Sequence, residues 1–436
     1  MELLLITFNH IMNSSDNIPP VLASSIGGVS VKDLIAKFGS PLYIYDLGSI
    51  ESQYKKLSDA FSGFKHKIHY AVKALSNTNI LKFICSLGAG ADTVSIEELK
   101  LCLRAGFNSK DIIFTPSGPS EAAIDYAFSK NVMITVDNMQ SIEYIGKVYG
   151  NKHPISIRLN PEVVASGDDK ISVAGINSKF GLAMDKFEAA LQCCKQYSVQ
   201  VVGLHIHTGS DIGDSVPYFK AVNRIVDLAM SLDNLQFIDL GSGFKVSYHP
   251  EDPSYKDTNI EEYARKIKPL HEKLSQKFSN SEFELKFEPG KFIVGKSGYF
   301  ASTATVVKNN NGYNFVIVDS GLNHLIRPMM YDKAYHYIEN ISNPTGHALK
   351  YEVCGYICET DTFGADRYLS EVRPGDLIVM HNAGAYCITM ASNYNSKPRP
   401  AEVSVQNGSV NLIRRRETID DLIMCEIESM PIAKQA

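Results

Sequence analysis

The sequence predicts a (β/α)8 barrel followed by a second domain built of β-strands. Two observations lead to this fold class. In the first two thirds of the chain, eight β-rich runs alternate with stretches of helical period, which is the pattern of a barrel. After Gly290 the helical stretches give way to strands joined by turns.

The barrel strands are predicted from runs rich in Val, Ile, Tyr and Phe that are bounded by Gly, Asn, Ser or Asp. They lie near residues 67–72, 89–92, 112–115, 132–136, 154–159, 200–206, 236–240 and 283–287. The second of them, within the sequence GAGAD at 88–92, is assigned mainly from its position between helical stretches.

The helices between these strands are predicted from apolar residues spaced as one helix face. The clearest stripe consists of Phe219, Val222, Ile225, Val226 and Ala229. Further helical stretches are expected at 49–62, 76–87, 95–105, 119–130, 138–148, 184–198 and 260–278.

The remainder of the chain predicts an all-β domain of barrel or Greek-key type. Strands are expected at 299–307, 313–319, 349–354, 375–380, 400–406 and 409–414, with one helix at 417–425. We therefore expect four regions. They are an N-terminal extension at 1–24, an early strand within 25–45 that joins the β domain, the barrel at 46–290, and the β domain at 291–436.

Composition narrows the class of protein. With 436 residues the chain can bury two cores, and a net charge of −5 gives no reason to expect nucleic acid as a partner. No stretch approaches the roughly 20 apolar residues of a membrane span, and the first residues lack a basic signal-peptide start. Eight cysteines without CxxC spacing predict no metal site and favour reduced thiols in the cytoplasm.

Chemistry-bearing residues follow the predicted strands at their carboxyl ends, where barrel enzymes carry their active sites. The residues are Lys73, Asp92, Arg158 with Asn160, His207, the turn 241–243 and Glu288. A lysine can hold pyridoxal phosphate as an imine, and a carboxylate can keep its ring nitrogen protonated. A single Lys or Glu at a strand end is usually solvated structure, but the joint placement of Lys73 and Glu288 predicts a pyridoxal-phosphate enzyme.

Several segments together resemble the diaminopimelate decarboxylase family, a branch of the fold type III pyridoxal-phosphate decarboxylases. They are YAVKA at 70–74, HIHTGS at 205–210, EPGK at 288–291, DSGLN at 319–323 with RPMMY at 327–331, Cys358 with Glu359, and GAY at 384–386. The motifs occur in order over about residues 25 to 425. The resemblance implies pyridoxal 5'-phosphate as cofactor and the conversion of meso-diaminopimelate to L-lysine and CO2, the last step of lysine biosynthesis.

The resemblance also implies roles for cofactor-binding residues. Lys73 would carry the cofactor, Glu288 would pair with its ring nitrogen, His207 would lie against the ring face, and Asp92 would support the site. The phosphate group would be held by Ser210, by the backbone of Gly241, Ser242, Gly243 and Gly290, and by Tyr386. His205 lies deeper on the same strand face as His207, so we assign it a packing role.

Substrate recognition is implied for a second set of residues, namely Lys291, Arg327, Tyr331, Glu359 and Tyr386. Arg327 and Tyr331 match the family's carboxylate ligands, and Glu359 would receive the distal ammonium group. Cys358 resembles a thiol that family members insert into the neighbouring subunit's site to protonate the reacting carbon, which implies a homodimer. Many members have Arg where this chain has Lys291, and lysine lacks the planar fork.

Two other functions remain open at this point. The chain could decarboxylate another basic amino acid or carboxynorspermidine, because those enzymes share the mechanism. It could also be a non-catalytic binding homologue of the same fold, although the presence of both Lys73 and Cys358 argues against this.

Overall fold

A computed structural model describes residues 22–163, 175, 177–212, 214–279, 282–331, 334–343 and 347–427 of the chain. The chain forms two compact units. One, the β unit, comprises the described residues up to Asp46, together with Gly298–Ala383 and those from Met390 onward. The other, the barrel unit, comprises Leu47–Ser297 and Gly384–Thr389.

The first elements of the chain belong to the β unit. They are β1 (Ser25–Ile26), β2 (Val29–Ser30), α1 (Val31–Phe38) and β3 (Leu42–Asp46). Ser30 caps α1 through its hydroxyl, which accepts a hydrogen bond from the amide of Asp33. Residues 22–24, which we assigned to the extension, also contact the β unit, since Ala23 is buried in its core.

The barrel is built from parallel strands that confirm the predicted (β/α)8 fold. The strands are β4 (His66–Ala71), β5 (Gly90–Thr93), β6 (Ile112–Phe114), β7 (Met133–Val136), β8 (Ile155–Asn160), the short β9 (Leu182–Ala183) beside β8, β10 (Val201–His205), β11 (Phe237–Asp239) and β12 (Glu284–Phe287). Pairing of β10 with β8 and of β12 with β4 closes the ring. All eight predicted strands are therefore present, including the one assigned from its position.

Helices alternate with the barrel strands where the apolar spacing predicts them, except for the short helix Lys291–Val294, which the sequence did not predict. They are α2 (Leu47–Ala60), α3 (Thr78–Ser86), α4 (Ile96–Ala105), α5 (Glu121–Ser129), α6 (Met139–Tyr149), α7 (Phe187–Gln196), α8 (Ser215–Ala229), α9 (Ile260–Lys277) and α10 (Lys291–Val294). In α8 the predicted stripe is buried except for Phe219, which is half-buried. Burial of such a face against the strands is the main source of helix stability.

The β unit continues after the barrel. It contains β13 (Gly298–Asn310), β14 (Tyr313–Val318), α11 (Arg327–Met330), β15 (Ile338–Asn340), β16 (Ala348–Cys354), β17 (Thr362–Ser370), β18 (Leu377–Met380), β19 (Ala401–Gln406), β20 (Ser409–Arg414) and α12 (Ile419–Ile423). Strand β3 lies between β13 and β19, antiparallel to the first and parallel to the second. The sequence did not predict β15 or β17.

The domain boundaries differ from those expected. We placed the end of the barrel at residue 290, but the barrel unit extends to Ser297 because α10 packs against α2. Residues Gly384–Thr389, which we assigned to the β domain, belong to the barrel unit, where the Tyr386 amide donates a hydrogen bond to the Ala74 carbonyl at 2.9 Å. No helix in the described part of the chain has the length and apolar character needed to span a membrane.

Candidate active site

Four of the predicted residues lie at the carboxyl ends of barrel strands. Lys73 follows β4, Asp92 lies in β5, His207 follows β10, and Glu288 follows β12. Because β12 and β4 are paired neighbours, the lysine and the glutamate come from adjacent strands. Parallel strands end at the same rim, so the barrel brings these side chains together.

Lys73 and Asp92 form an ion pair at this rim. The Nζ atom of Lys73 lies 3.4 Å from Oδ2 of Asp92, and the Asp92 side chain is almost fully buried. Burial lowers the pKa of Lys73, but its electrostatic interactions with Asp92, Tyr386 and Glu288 outweigh burial and raise the pKa above its ordinary value. The Lys73 side chain is 41 % exposed, so a small molecule can reach its amine while Asp92 fixes its position.

Glu288 is a buried carboxylate that remains ionised. Burial raises the pKa of Glu288, but His205, which donates from Nε2 to Oε2 at 3.1 Å, together with Lys73 and His207, holds it well below the usual range. Among the described residues, the Oε1 atom of Glu288 is buried without a hydrogen-bond partner. An orphaned anionic oxygen of this kind needs a donor, and a protonated ring nitrogen supplies one.

His207 presents a neutral ring to the same rim. Its Nδ1 atom accepts a hydrogen bond from the amide of Ser242 at 3.4 Å, so the proton of the neutral ring lies on Nε2. Burial and the charges of Arg158 and Lys73 lower the pKa of His207 to about 3. A neutral imidazole can stack on a flat cationic ring without charge repulsion.

The glycine turn after β11 packs against the loop after β10. Gly241 has φ +60°, and a Cβ atom there would lie 2.6 Å from Nδ1 of His207. Gly243 has φ +92°, and a Cβ atom there would collide with the carbonyl of Gly209. Only glycine allows this close approach. Within the turn, the amide of Gly241 donates to Oδ1 of Asp239 at 2.9 Å and the amide of Ser242 donates to His207, so these two amides are engaged inside the barrel unit.

Tyr386 reaches the barrel from a segment far along the chain. The backbone of Tyr386 has φ +57°, a conformation that costs a non-glycine residue about 1 kcal/mol or more. Its amide donates a hydrogen bond to the carbonyl of Ala74, the residue after Lys73, which places Tyr386 next to the Lys73 segment. Backbone strain of this kind is typical of functional sites.

Two features of the barrel site were missed by the sequence interpretation. His205, to which we gave a packing role, is the hydrogen-bond partner of Glu288. Asp239 also joins this group, since one ligand atom from each of His205, Asp239 and Glu288 lies within 4.8 Å of the others. Asp239 is the last residue of β11 and the next-to-last residue of the predicted strand at 236–240, so a polar residue near a barrel strand end was the signal that could have identified it.

Lys291 is engaged differently from the expected substrate contact. It is 6 % exposed, and its Nζ atom lies 2.5 Å from Oδ2 of Asp211 within the barrel unit. No sequence pattern singled out Asp211, which lies directly after Ser210.

The β unit carries the other predicted substrate residues. Arg327 is buried at the start of α11, with its guanidinium carbon 5.4 Å from the centre of the Tyr331 ring. Cys358 and Glu359 are exposed, and the hydroxyl of Tyr394 donates to Oε1 of Glu359 at 2.7 Å. The structure thus brings Arg327 together with Tyr331, and it fixes one oxygen of Glu359.

Asp361 anchors the loop that carries Cys358 and Glu359. Its carboxylate accepts hydrogen bonds from the amides of Leu322 at 2.6 Å and Ile357 at 2.7 Å. Asp361 is 6 % exposed, and burial raises its pKa although the two amides oppose this. The loop is therefore tied to the segment that leads into α11, a connection that the sequence did not predict.

A barrel with a lysine and an ionised glutamate at the ends of adjacent strands is the framework of a pyridoxal-phosphate enzyme. Comparison with known proteins agrees, because a family model described as pyridoxal-dependent decarboxylase, pyridoxal binding domain, matches residues 47–295. The chain is 36 % identical over 411 residues to diaminopimelate decarboxylase of Aquifex aeolicus, with 91 % of this chain and 94 % of the relative covered. It belongs to the diaminopimelate decarboxylase family of the pyridoxal-dependent decarboxylases.

Solved structures give the same result. Diaminopimelate decarboxylase from Helicobacter pylori, complexed with L-lysine, superposes with a TM-score of 0.83 at 32 % identity and covers 91 % of this chain and 98 % of its own. The enzyme from M. jannaschii in co-complex with L-lysine gives a TM-score of 0.85 at 30 % identity, with coverage of 95 % and 98 %.

Proposed function

We propose that this protein is a pyridoxal-phosphate enzyme that decarboxylates meso-diaminopimelate to L-lysine and CO2, the last step of lysine biosynthesis. One observation carries the proposal: Lys73, which pairs with Asp92, and an ionised Glu288 follow adjacent barrel strands. Among the described residues, the Oε1 atom of that glutamate has no hydrogen-bond partner. The names of its relatives supply the substrate, and the L-lysine in two of the related structures is the product that this reaction would release.

The cofactor, when bound, supplies a protonated aromatic ring that withdraws electrons from the bond to the departing carboxylate. Lys73 would hold the cofactor, and Glu288 would keep its ring nitrogen protonated. The neutral ring of His207 would lie on one face. Asp92 would orient Lys73, while Ser210, the backbone amides of Gly243 and Gly290, and Tyr386 would hold the phosphate. The amides of Gly241 and Ser242, which we also expected there, donate instead to Asp239 and His207.

Substrate binding is assigned to the residues of the β unit. A buried arginine such as Arg327 can grip a carboxylate through two parallel hydrogen bonds, and Tyr331 can add its hydroxyl. Glu359 would receive the distal ammonium group. Because meso-diaminopimelate carries an amino-acid group at each end, its distal end can meet both Arg327 and Glu359 at once. Ornithine has only an ammonium group at its distal end, so it offers no carboxylate there for Arg327.

We further propose a homodimer in which Cys358 and Glu359 of one chain complete the site of the other. Cys358 would return a proton to the carbon from which CO2 has left. Exposure of both side chains in the single chain supports this arrangement. A cytoplasmic location, where thiols such as Cys358 stay reduced, is part of the same proposal.

The substrate is tested by incubating the purified holoenzyme in parallel with meso-diaminopimelate, ornithine, arginine and carboxynorspermidine and measuring released CO2. We expect CO2 from meso-diaminopimelate, and none from Lys73→Ala. Borohydride reduction followed by mass spectrometry should trap the cofactor on Lys73. Release of CO2 from ornithine but not from diaminopimelate would refute the substrate assignment.

The shared site is tested by mixing two inactive variants, Lys73→Ala and Cys358→Ala, under conditions that exchange subunits. In a mixed dimer one of the two sites would contain both native residues. Random exchange makes half of the dimers mixed, so about a quarter of the wild-type activity should return. If no activity returns although exchange is confirmed, each site is complete within one chain.

A further inference from the structure

An ion pair in the barrel unit joins two loops that surround the proposed phosphate position. Lys291 directly follows Gly290, and Asp211 directly follows Ser210. The Nζ atom of Lys291 lies 2.5 Å from Oδ2 of Asp211, and Lys291 is buried. The pair therefore connects the two loops at the residues next to the proposed phosphate contacts.

The glycine turn after β11 is connected to the same two loops. The amide of Ile212 donates to the carbonyl of Gly243 at 2.9 Å, and the amide of Glu288 donates to the carbonyl of Gly241 at 2.9 Å. The Lys291 ammonium also lies 6.0 Å from the ring centre of Tyr248, which follows this turn. Backbone hydrogen bonds thus join the glycine turn to each of the other two loops, and the ion pair joins those two loops to each other.

The contact with Asp211 leaves Lys291 poorly suited to bind a substrate carboxylate. The ammonium is already neutralised by a carboxylate at contact distance, and it is almost completely removed from solvent. The other oxygen of Asp211, Oδ1, is buried without a partner among the described residues. Withdrawing Lys291 would leave a partly buried carboxylate without its cation, which is costly. Lysine also has no second face of donors with which to hold two carboxylates, as arginine does.

We infer that the Asp211–Lys291 ion pair holds the loops after β10, β11 and β12 in position for the cofactor phosphate. Lys291 is then a positioning residue rather than a substrate ligand. This inference rests on the proposed function for the identity of the cofactor. It revises the substrate role that the resemblance implied for Lys291, and it leaves Arg327 as the buried cation for the substrate carboxylate.

The test separates cofactor affinity from substrate affinity. Apoenzyme of Lys291→Met, Asp211→Asn and Lys291→Arg is titrated with pyridoxal phosphate by absorbance, and KM for meso-diaminopimelate is measured at saturating cofactor. Both Lys291→Met and Asp211→Asn should weaken cofactor binding about tenfold or more, with KM within about twofold of the wild type. Lys291→Arg, which can keep the pair, should bind the cofactor with wild-type affinity.

A matched control is Lys296→Met, which removes a lysine five residues later that pairs with Asp257 at 2.7 Å. Its cofactor affinity should not change. In a double-mutant cycle, Lys291→Met with Asp211→Asn should cost little more than either change alone, because both remove one interaction.

A substrate role for Lys291 would change KM and cofactor affinity in a different pattern. If Lys291 is a substrate ligand, Lys291→Met will raise KM at unchanged cofactor affinity, and Asp211→Asn will lower KM by releasing the ammonium. That outcome overturns the inference. If no substrate in the panel is decarboxylated, the proposed function fails, but the cofactor titration still shows whether the ion pair supports cofactor binding. Failure of the proposed function can therefore be told apart from failure of this inference.

Discussion

His205 Nε2 lies 3.1 Å from Oε2 of Glu288, and both side chains are buried inside the barrel. A buried carboxylate without such a donor would gain a proton, because burial favours its neutral form. The hydrogen bond therefore maintains the negative charge of Glu288. His205, the last residue of β10, thus determines how well the rim can hold a protonated aromatic nitrogen.

His205→Phe tests this relationship while it retains a flat ring in the barrel. Loss of a hydrogen bond to a charged group is worth about 1.5–3 kcal/mol, so kcat should fall about 10- to 100-fold. The absorbance spectrum of the bound cofactor should also change. As a control, His271→Phe removes a buried histidine of α9 that bonds the carbonyl of Phe283, and it should leave kcat unaltered. An unchanged kcat in His205→Phe would show that Glu288 does not need the donor.

Buried histidines of the β unit should make the protein sensitive to acid. Burial, together with the charge of Arg327, lowers the pKa of His336 to about 3, and burial lowers that of His324 to about 4. In the unfolded chain each would have a pKa near 6.5. Between these values the unfolded chain binds protons that the folded protein excludes, so the free energy of unfolding falls as pH falls, by about 1.4 kcal/mol per pH unit for each histidine.

Urea unfolding between pH 6.5 and 4.5 measures this slope. His336→Phe should reduce it by the contribution of one histidine, whatever the variant does to stability at neutral pH. His347→Phe, at an exposed position, should leave the slope as it is. Equal slopes for the wild type and His336→Phe would contradict the prediction.

Arg327→Met should impair substrate binding without affecting the cofactor. Removing one partner of a buried charged contact costs about 2–5 kcal/mol, so KM for meso-diaminopimelate should rise about 30-fold or more. Arg327→Lys should recover part of the loss, because it restores the charge but not the fork. Arg367→Met is a suitable control, since Arg367 also stacks on a tyrosine, 4.0 Å from the ring centre of Tyr335. A normal KM in Arg327→Met would exclude the proposed contact.

Asp361→Ala should loosen the loop that carries Cys358 and Glu359. Two amides would lose their acceptor, at a cost of about 1–3 kcal/mol each, and the loop would sample positions in which the thiol is misplaced. We expect kcat to fall about tenfold with cofactor affinity unaltered. Asp361→Asn, which keeps one acceptor oxygen, should lose less, and Asp366→Asn, at an exposed position, should be neutral. Wild-type kcat in Asp361→Ala would mean that the loop is held by other contacts.

The barrel could be predicted because its determinants are local. The alternation of apolar and polar residues in β8 and the helical stripe of α8 each show a period in the sequence, and strand order in a barrel follows chain order. Strand β15 could not be found in this way, because only three residues form it and one is Glu339. That carboxylate is buried because it accepts the amides of Leu22 and Ala23 and pairs with His381, all distant in sequence.

Of the candidate site, the positions at the rim could be predicted from the sequence, but the contacts between them could not. Strand periodicity identified the rim residues, because position in a strand fixes which face a side chain occupies. It could not identify partners across the barrel. His205 and Glu288 are 83 positions apart, and Lys291 and Asp211 are 80 apart, so neither pairing leaves a local pattern. The return of Tyr386 to the barrel depends likewise on a tertiary hydrogen bond.

That return has a practical consequence for anyone who wishes to dissect the protein. The barrel unit is not encoded by one uninterrupted stretch of codons, since six residues from much later in the chain, Gly384–Thr389, complete it. A fragment truncated after Ser297 would lack Tyr386 and the backbone bond to Ala74. An expression plasmid for the barrel alone therefore has to graft this hexapeptide back, or retain the full reading frame.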